Sequence, residues 1–380
     1  MSVAATKLIL RQAEQIEAGL SIPAGSAPHL LLVNPSPGML EALQPTGWQF
    51  TSWVLNAQAL PFTTAADFRA AHTTAADATA NQSPLTDNTA ETGNTTIFSA
   101  ALTEMLPVAG VILNIPKEKQ LTVMLLANLR AAVPECTPIW LVGHNDVGIR
   151  SYLKQEHAGW QKWQKVANGN HCQLLQSELS AAATFVLNDY QQHYSPSISA
   201  GDAPIDIISF PGVFSSGRLD SGTERLLQNL PPYIAGRVLD FGCGAGVISK
   251  YLARHYPITE LHSVDINVLA LAATTATLGN ENTFKHRVYA SDGLNAVSGQ
   301  FDWIISNPPF HAGKHTDYQI TQNFIHASQK KLAPRGSLVL VANTFLPYRE
   351  ALAKAFKQVN TLLETPKFTV WHATNGQKGK

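Results

Sequence analysis

Cysteine is scarce in this chain: three occur in 380 residues, at Cys136, Cys172 and Cys243. They are too scattered for a metal motif or a disulfide framework. So few thiols suit a reduced, cytoplasmic protein, and no metal site is expected. Long apolar runs are missing too, so no membrane span is expected. Met1 to Leu10 carries one lysine and lacks the apolar centre of a secretory leader. Net charge is absent as well, with 27 basic side chains against 27 acidic. That balance speaks against strong nonspecific binding of nucleic acid. It hides an asymmetry, however. Residues 1–200 carry 10 basic against 14 acidic side chains, a net of −4; residues 201–380 carry 17 against 13, a net of +4. The basic half remains able to face a phosphate backbone.

What the chain does have is apolar strand-like segments separated by helical ones, over a length that suits two domains. In the second half, Gly236 to Phe241 reads as a strand. It runs into Gly242-Cys243-Gly244-Ala245-Gly246 and then a helix from about Val247 to His255. Leu261 to Asp265 is a second strand ending in an acid, and Phe284 to Tyr289 a third, followed by Ser291-Asp292. Phe301 to Ile305 is a fourth, followed by Ser306-Asn307-Pro308-Pro309-Phe310. Every motif sits at a strand C-terminus, the edge where open α/β sheets bind ligands.

The residue types fit a common chemistry. Glycines let backbone approach a ligand and take positive φ. An acid about twenty residues beyond a glycine turn suits ribose hydroxyls, which points to Asp265. Asp292 can meet an adenine amine. The prolines fix their own backbone and hold Asn307 extended. The Asn307 side chain and the Pro308 carbonyl then offer acceptors to an amino group, and Phe310 offers a flat face to a ring. That corner suits a planar, NH2-bearing substrate. A lone glycine turn serves packing as readily, and a lone Asn-Pro-Pro is an ordinary turn; the order along one edge carries the argument.

This constellation resembles the class I S-adenosylmethionine-dependent methyltransferases that modify exocyclic or amide nitrogens. Pro211 to Thr223 resembles the hairpin preceding the fold in guanine-N2 ribosomal RNA methyltransferases. Val341 to Tyr348 and Lys367 to Trp371 also look like that family, in its small subunit methyltransferase C type. The match is dense over residues 205–375. It implies S-adenosyl-L-methionine as cofactor and N2 of a guanosine in 16S rRNA as target, within the small ribosomal subunit, with the enzyme acting as a monomer. It implies that Asp240, Gly242, Gly244 and Gly246 line the methionine and ribose side, that Asp265 with Ile266 holds the ribose, and that Asp292 meets the adenine. Phe214, Asp220 and Gly222 would cover the methionine end. Asn307, Pro308, Pro309 and Phe310 would be catalytic, with Asn307 also near the cofactor. Phe310, Arg218 and Lys314 would touch the RNA.

The first half reads as α/β without ligand glycines. Strands are expected at His29 to Asn34, Trp48 to Leu55, Ala109 to Asn114 and Pro138 to Gly143, with helices at Glu118 to Ala132 and Val147 to Gln155. Val33-Asn34-Pro35 stands where the second half has its glycine loop, and Leu113-Asn114-Ile115-Pro116 where it has Ser306-Asn307-Pro308-Pro309. The fold expected is therefore two tandem doubly wound Rossmann-like methyltransferase domains, the N-terminal one degenerate. The boundaries are 1–194, a linker at 195–204, and a catalytic domain at 205–380. Residues 63–96, rich in Thr, Ala, Asp and Asn, read as a mobile insertion, and the tail from Gly376 as frayed. Cys243 reads as packing within the glycine loop, and Trp160 with Trp163 as helix surface. His311, Lys314 and His315 read as a loop near phosphate.

Three other readings stay open on the residues alone. Glutamine-amide protein methyltransferases share the Asn-Pro-Pro corner, usually with Tyr after it and with a small helical N-terminal domain. An adenine-N6 methyltransferase on nucleic acid is the second, and a noncatalytic nucleotide-binding module the third.

Overall fold

The computed structural model describes residues 2–23, 25–59, 85–89, 94–280, 283–308 and 315–376. Pro309, Phe310, His311, Lys314, most of the segment 63–96 and the tail beyond Gly376 lie outside the described residues. The chain divides into two compact units between Tyr190 and Gln191.

The first unit is built on strands β1 (His29–Val33), β2 (Gln49–Val54), β3 (Leu85–Thr89), β4 (Asn94–Phe98), β5 (Gly110–Asn114), β6 (Pro138–His144), β7 (Gln164–Gly169) and β8 (Cys172–Glu178). They lie in the order β3-β4-β2-β1-β5-β6-β8-β7. The central five are mutually parallel, while β3, β8 and β7 run antiparallel to their neighbours. Leu30 to Val33 are wholly buried, as are Val111 to Leu113 and Ile139, Leu141 and Val142. Continuous apolar runs of this kind are what parallel strands covered on both faces require.

The second unit begins with a two-stranded pairing of β9 (Gln192–Tyr194) and β10 (Ile207–Ser209). Its main sheet holds β11 (Gly236–Phe241), β12 (Ile258–Asp265), β13 (Lys285–Ala290), β14 (Phe301–Ser306), β15 (Leu332–Asn343), β16 (Gln358–Glu364) and β17 (Phe368–Thr374). Their order is β13-β12-β11-β14-β15-β17-β16. Without the extra edge strand β3, the two sheets have the same order and the same antiparallel final pair. Two α/β units of one topology, as expected, make up the chain.

Several expectations need correction. The end of the 63–96 stretch is not loop: β3 and β4 pair, and β4 joins β2. The β-branched run Thr95-Thr96-Ile97 favours this, and buried Asn94 accepts the Phe50 N–H at 2.8 Å. Residues 195–204 do not link the units; they join β9 to β10 within the second one, with Ile198 buried and its carbonyl bound by Gln228 Nε2 at 2.6 Å. Pro211 to Thr223 forms turns followed by helix Ser221–Gln228, not a hairpin. Val147 to Gln155 is not α-helical: Gly148, at φ +79°, separates the 3-10 turns Asn145–Val147 and Ile149–Lys154. Trp160 and Trp163 lie outside any helix and are 7 % and 2 % exposed, with Trp163 edge-on to Tyr152 and His157.

Among the described residues, no helix is long and apolar enough to cross a membrane, and no group of three or more His, Cys, Asp or Glu could hold a metal ion.

Candidate active site in the second unit

Parallel register sets the site. Phe241 aligns with Val264 and with Ser306, and Asp265 with Ala290. The glycine loop, Asp265, Ser291-Asp292 and Asn307 therefore share one sheet edge. The loop is held from below, since the N–H groups of Gly242 and Cys243 both donate to the Val264 carbonyl, at 2.8 and 3.0 Å. Gly242, Gly244 and Gly246 all take positive φ. Two of them do different work. A Cβ at Gly244 would meet nothing within 4 Å, so this backbone faces open space. At Gly246 it would lie 3.1 Å from Thr274 Cα. Gly246 therefore lets helix Val268–Leu278 pack closely; it does not line the cleft.

Asp265 anchors the loop. Its two carboxylate oxygens accept the N–H groups of Gly244 at 3.0 Å and Asn267 at 2.9 Å. Burial raises its carboxyl above the usual range, opposed by backbone N–H bonds from Asn267, Gly244 and Ile266. Three such bonds leave the carboxylate room to accept a further donor. Ile266 follows it, partly buried, and Asp292 lies exposed just past β13.

Asp240 needs correction. It is wholly buried behind the loop, with Oδ2 accepting from Ser249 Oγ at 2.6 Å, and Ser249 Oγ in turn 2.7 Å from Ser263 Oγ. Its Oδ1 has no partner. Burial, aided by the Asp265 charge, pushes its carboxyl up to about 7. Asp240 supports the loop and does not touch the cleft. Cys243 is buried, and burial beside two acids holds its thiol well above its ordinary value. It is a packing residue with no nucleophilic character.

Asn307 is the best-defined group of the site. Its Nδ2 donates to Asp220 Oδ2 at 3.0 Å and to Thr223 Oγ1 at 2.9 Å. A carboxylate only accepts, so the amide can point only one way. Both amide hydrogens are taken, and Oδ1, unpartnered among the described residues, is left to receive a donor. Asp220 also caps helix Ser221–Gln228 by accepting the Thr223 N–H at 2.9 Å. A Cβ on Gly222 would lie 2.9 Å from Asp220 Oδ2 and 3.5 Å from Asn307 Nδ2, so glycine is needed where these groups meet. Ser306 Oγ donates to the Phe241 carbonyl at 2.7 Å and ties the corner to β11. Pro308 is buried directly after Asn307.

A cleft beside the loop is lined by Gly242, Gly244, Asp220, Thr223, Asn307, Phe214 and Tyr194, among others. Phe214 is 67 % exposed and adds an apolar ring to this lining. Arg218 is exposed in the turn above, where Ser215 Oγ donates to its carbonyl at 3.0 Å. Sequence reading missed Tyr194 and Thr223. Tyr194 carries no motif; Thr223 stood three residues after Asp220, the spacing of a capped helix start.

Comparison with known proteins agrees with this geometry. The family "Methyltransferase small domain" matches residues 204–372, and "Methyltransferase small domain N-terminal" matches residues 54–194. The ribosomal RNA small subunit methyltransferase C of Pseudoalteromonas translucida is 39% identical over 262 residues, 69% of this chain and 76% of that protein. Its counterpart in Shewanella loihica is 43% identical over 264 residues, 69% of this chain and 75% of that protein. The solved T. thermophilus 16S rRNA N2 G1207 methyltransferase, in complex with AdoMet and guanosine, superposes with a TM-score of 0.71 at 22% identity, covering 96% of this chain and 92% of that one. At that identity the likeness concerns the fold, and it extends over both units. Identity to the curated relatives, over most of their length, establishes that the chain belongs to the ribosomal RNA small subunit methyltransferase C family.

Proposed function

We propose that the chain uses S-adenosyl-L-methionine to methylate the exocyclic N2 of a guanosine in 16S rRNA, within the small ribosomal subunit of the cytoplasm. The observation that carries this reading is the locked amide of Asn307 beside an open glycine loop. The names of the relatives and of the solved neighbour support the substrate class.

The residues present fit the cofactor. Gly244 faces open space where a Cβ would intrude, and Asp265 retains acceptor capacity for ribose hydroxyls. Phe214 and Tyr194 give the cleft an apolar wall. When bound, the cofactor supplies an electrophilic methyl group on a sulfonium.

The chain's own residues must then present an amine. The N2 lone pair of guanine is delocalised into the ring and is a poor nucleophile. Asn307 Oδ1 and the Pro308 carbonyl accept the two N2 hydrogens, favour a pyramidal nitrogen and aim its lone pair. Such positioning can supply several kcal/mol. As positive charge develops on N2, both hydrogen bonds strengthen, so the transition state gains more than the ground state. The surplus proton leaves N2 for water. Phe310, in this reading, stacks on the base, a contact worth about 1–3 kcal/mol, and Arg218 and Lys314 meet the RNA backbone.

Nucleoside mass spectrometry of in vitro transcribed 16S rRNA, treated with protein and S-adenosyl-L-methionine, tests this. N2-methylguanosine is expected. N6-methyladenosine, or no modified nucleoside in RNA and in isolated small subunits alike, would overturn it.

A further inference from the structure

We propose that the first unit, which lacks the cofactor loop, carries a binding site for the RNA phosphate backbone. The inference deepens the RNA reading above and rests on it. An open cleft of about 510 Å³ lies beyond the end of β6, walled by the turn Ile149–Lys154 and by the β7–β8 hairpin. This is the C-terminal edge of the parallel strands, the edge such sheets use for ligands.

Arg150, Lys154 and Lys165 line this cleft, together with His171. They are three of the ten Lys and Arg in residues 1–200, a half whose net charge is −4. Among the described residues no carboxylate lines the cleft, and none of the three cations ion-pairs. The neighbouring acid Asp146 is not part of the cleft lining; His144 Nδ1 accepts its N–H at 3.3 Å. Unpaired cations gathered in one concavity raise the local concentration of a polyanion.

The cleft is also built, not just charged. Asn145 Oδ1 accepts from Arg150 Nε at 3.1 Å and from Gln173 Nε2 at 2.9 Å, which orients the guanidinium. Its two terminal nitrogens stay available, the arrangement that recognises phosphate by two parallel bonds. Asn170 and His171 have φ of +49° and +61° between the paired residues Gly169 and Cys172, a rigid two-residue turn. Gln173 is 7 % exposed, and its Oε1 is buried without a partner. The amides of Asn168 and Asn170, which line the cleft, can meet a ribose 2′-hydroxyl or a base edge. Cations for phosphate and amide groups for hydroxyls together fit RNA.

The test uses the full chain with Arg150→Gln, Lys154→Gln and Lys165→Gln combined, and Lys162→Gln as a control outside the cleft. All four side chains are exposed, so unchanged melting is expected and is checked first; the single variants replace the triple one if it melts early. The triple variant should raise KM for 16S rRNA about tenfold at unchanged kcat. It should also flatten the dependence of log affinity on log salt by about 2, as expected when two to three phosphate contacts are lost. Lys162→Gln should change neither. A triple variant with the parent's KM and salt slope, or a control that loses as much, overturns the site. The two proposals fail separately. A parent protein that makes no N2-methylguanosine defeats the reaction assigned above, while the salt slopes of labelled-RNA binding still judge the cleft.

Discussion

The two sheets share strand order, yet only one of them ends in a cradle. In the second unit, β11 runs into a loop of left-handed glycines and β14 into an asparagine whose amide is fixed by Asp220 and Thr223. In the first unit, the strands in the same places, β1 and β5, end in Asn34 and Asn114. These clasp each other: Asn34 Nδ2 donates to the Asn114 carbonyl at 2.9 Å, and Asn114 Nδ2 to the Asn34 carbonyl at 3.1 Å. The polar groups that the second unit holds toward a ligand are spent on one another in the first. Topology thus provides an edge; which amides remain unsatisfied on that edge decides whether it does chemistry.

Breaking the second unit's corner should have the largest effect. Asn307→Ala is expected to lower kcat for methyl transfer by about 10³-fold, with cofactor affinity nearly unchanged in a calorimetric titration. Full turnover in this variant would remove Asn307 from the mechanism. Next come the groups that aim it. Asp220→Ala and Thr223→Val should each lower kcat about 10²-fold through misplacement of the amide. They should separate in melting experiments, because only Asp220→Ala deletes a helix cap, at a cost of about 1 kcal/mol.

Asp240 gives the second unit a pH signature. Its carboxyl sits near 7 when folded and at an ordinary low value when unfolded. Between about pH 4 and 7 the native state therefore holds a proton that the unfolded chain has lost, so this group's contribution to stability falls as pH rises through that window and is flat above it. Asp240→Asn should remove the slope, leaving the parent less stable than the variant above pH 7 by on the order of 4 kcal/mol. Melting temperatures from pH 5 to 9 check this, and parallel curves for the two proteins would contradict it. The smallest effect belongs to the first unit's clasp. Asn114→Ala should cost about 1 kcal/mol and leave the methylation rate untouched.

Much of this was legible in the sequence, unevenly. Helix Val247–His255 begins where it was placed, because Gly246 can turn the chain into it and an apolar stripe follows. The glycine loop, Asp265 and Asn307 fall on one edge, as their positions after apolar strands required. The errors share a cause: contacts distant in sequence decided the outcome. Asp240 reads like a ligand residue beside glycines, but Ser249 and Ser263 hold it inward. Trp160 and Trp163 alternate with lysines, but Tyr152 and His157 pack against Trp163, and Trp163 against Trp160. The polar Thr-rich stretch hid β4, whose pairing with β2 no local pattern announces. Tyr194 reaches the cleft from a three-residue strand without a motif.

Calorimetric titration of the whole chain with S-adenosyl-L-methionine bears most directly on the contrast between the two units. One equivalent should bind, Asp265→Ala should weaken it at least tenfold, and Asn114→Ala should leave it alone. Two equivalents, or binding that survives the loss of Asp265 and fails with Asn114, would mean that the cradle has been assigned to the wrong sheet.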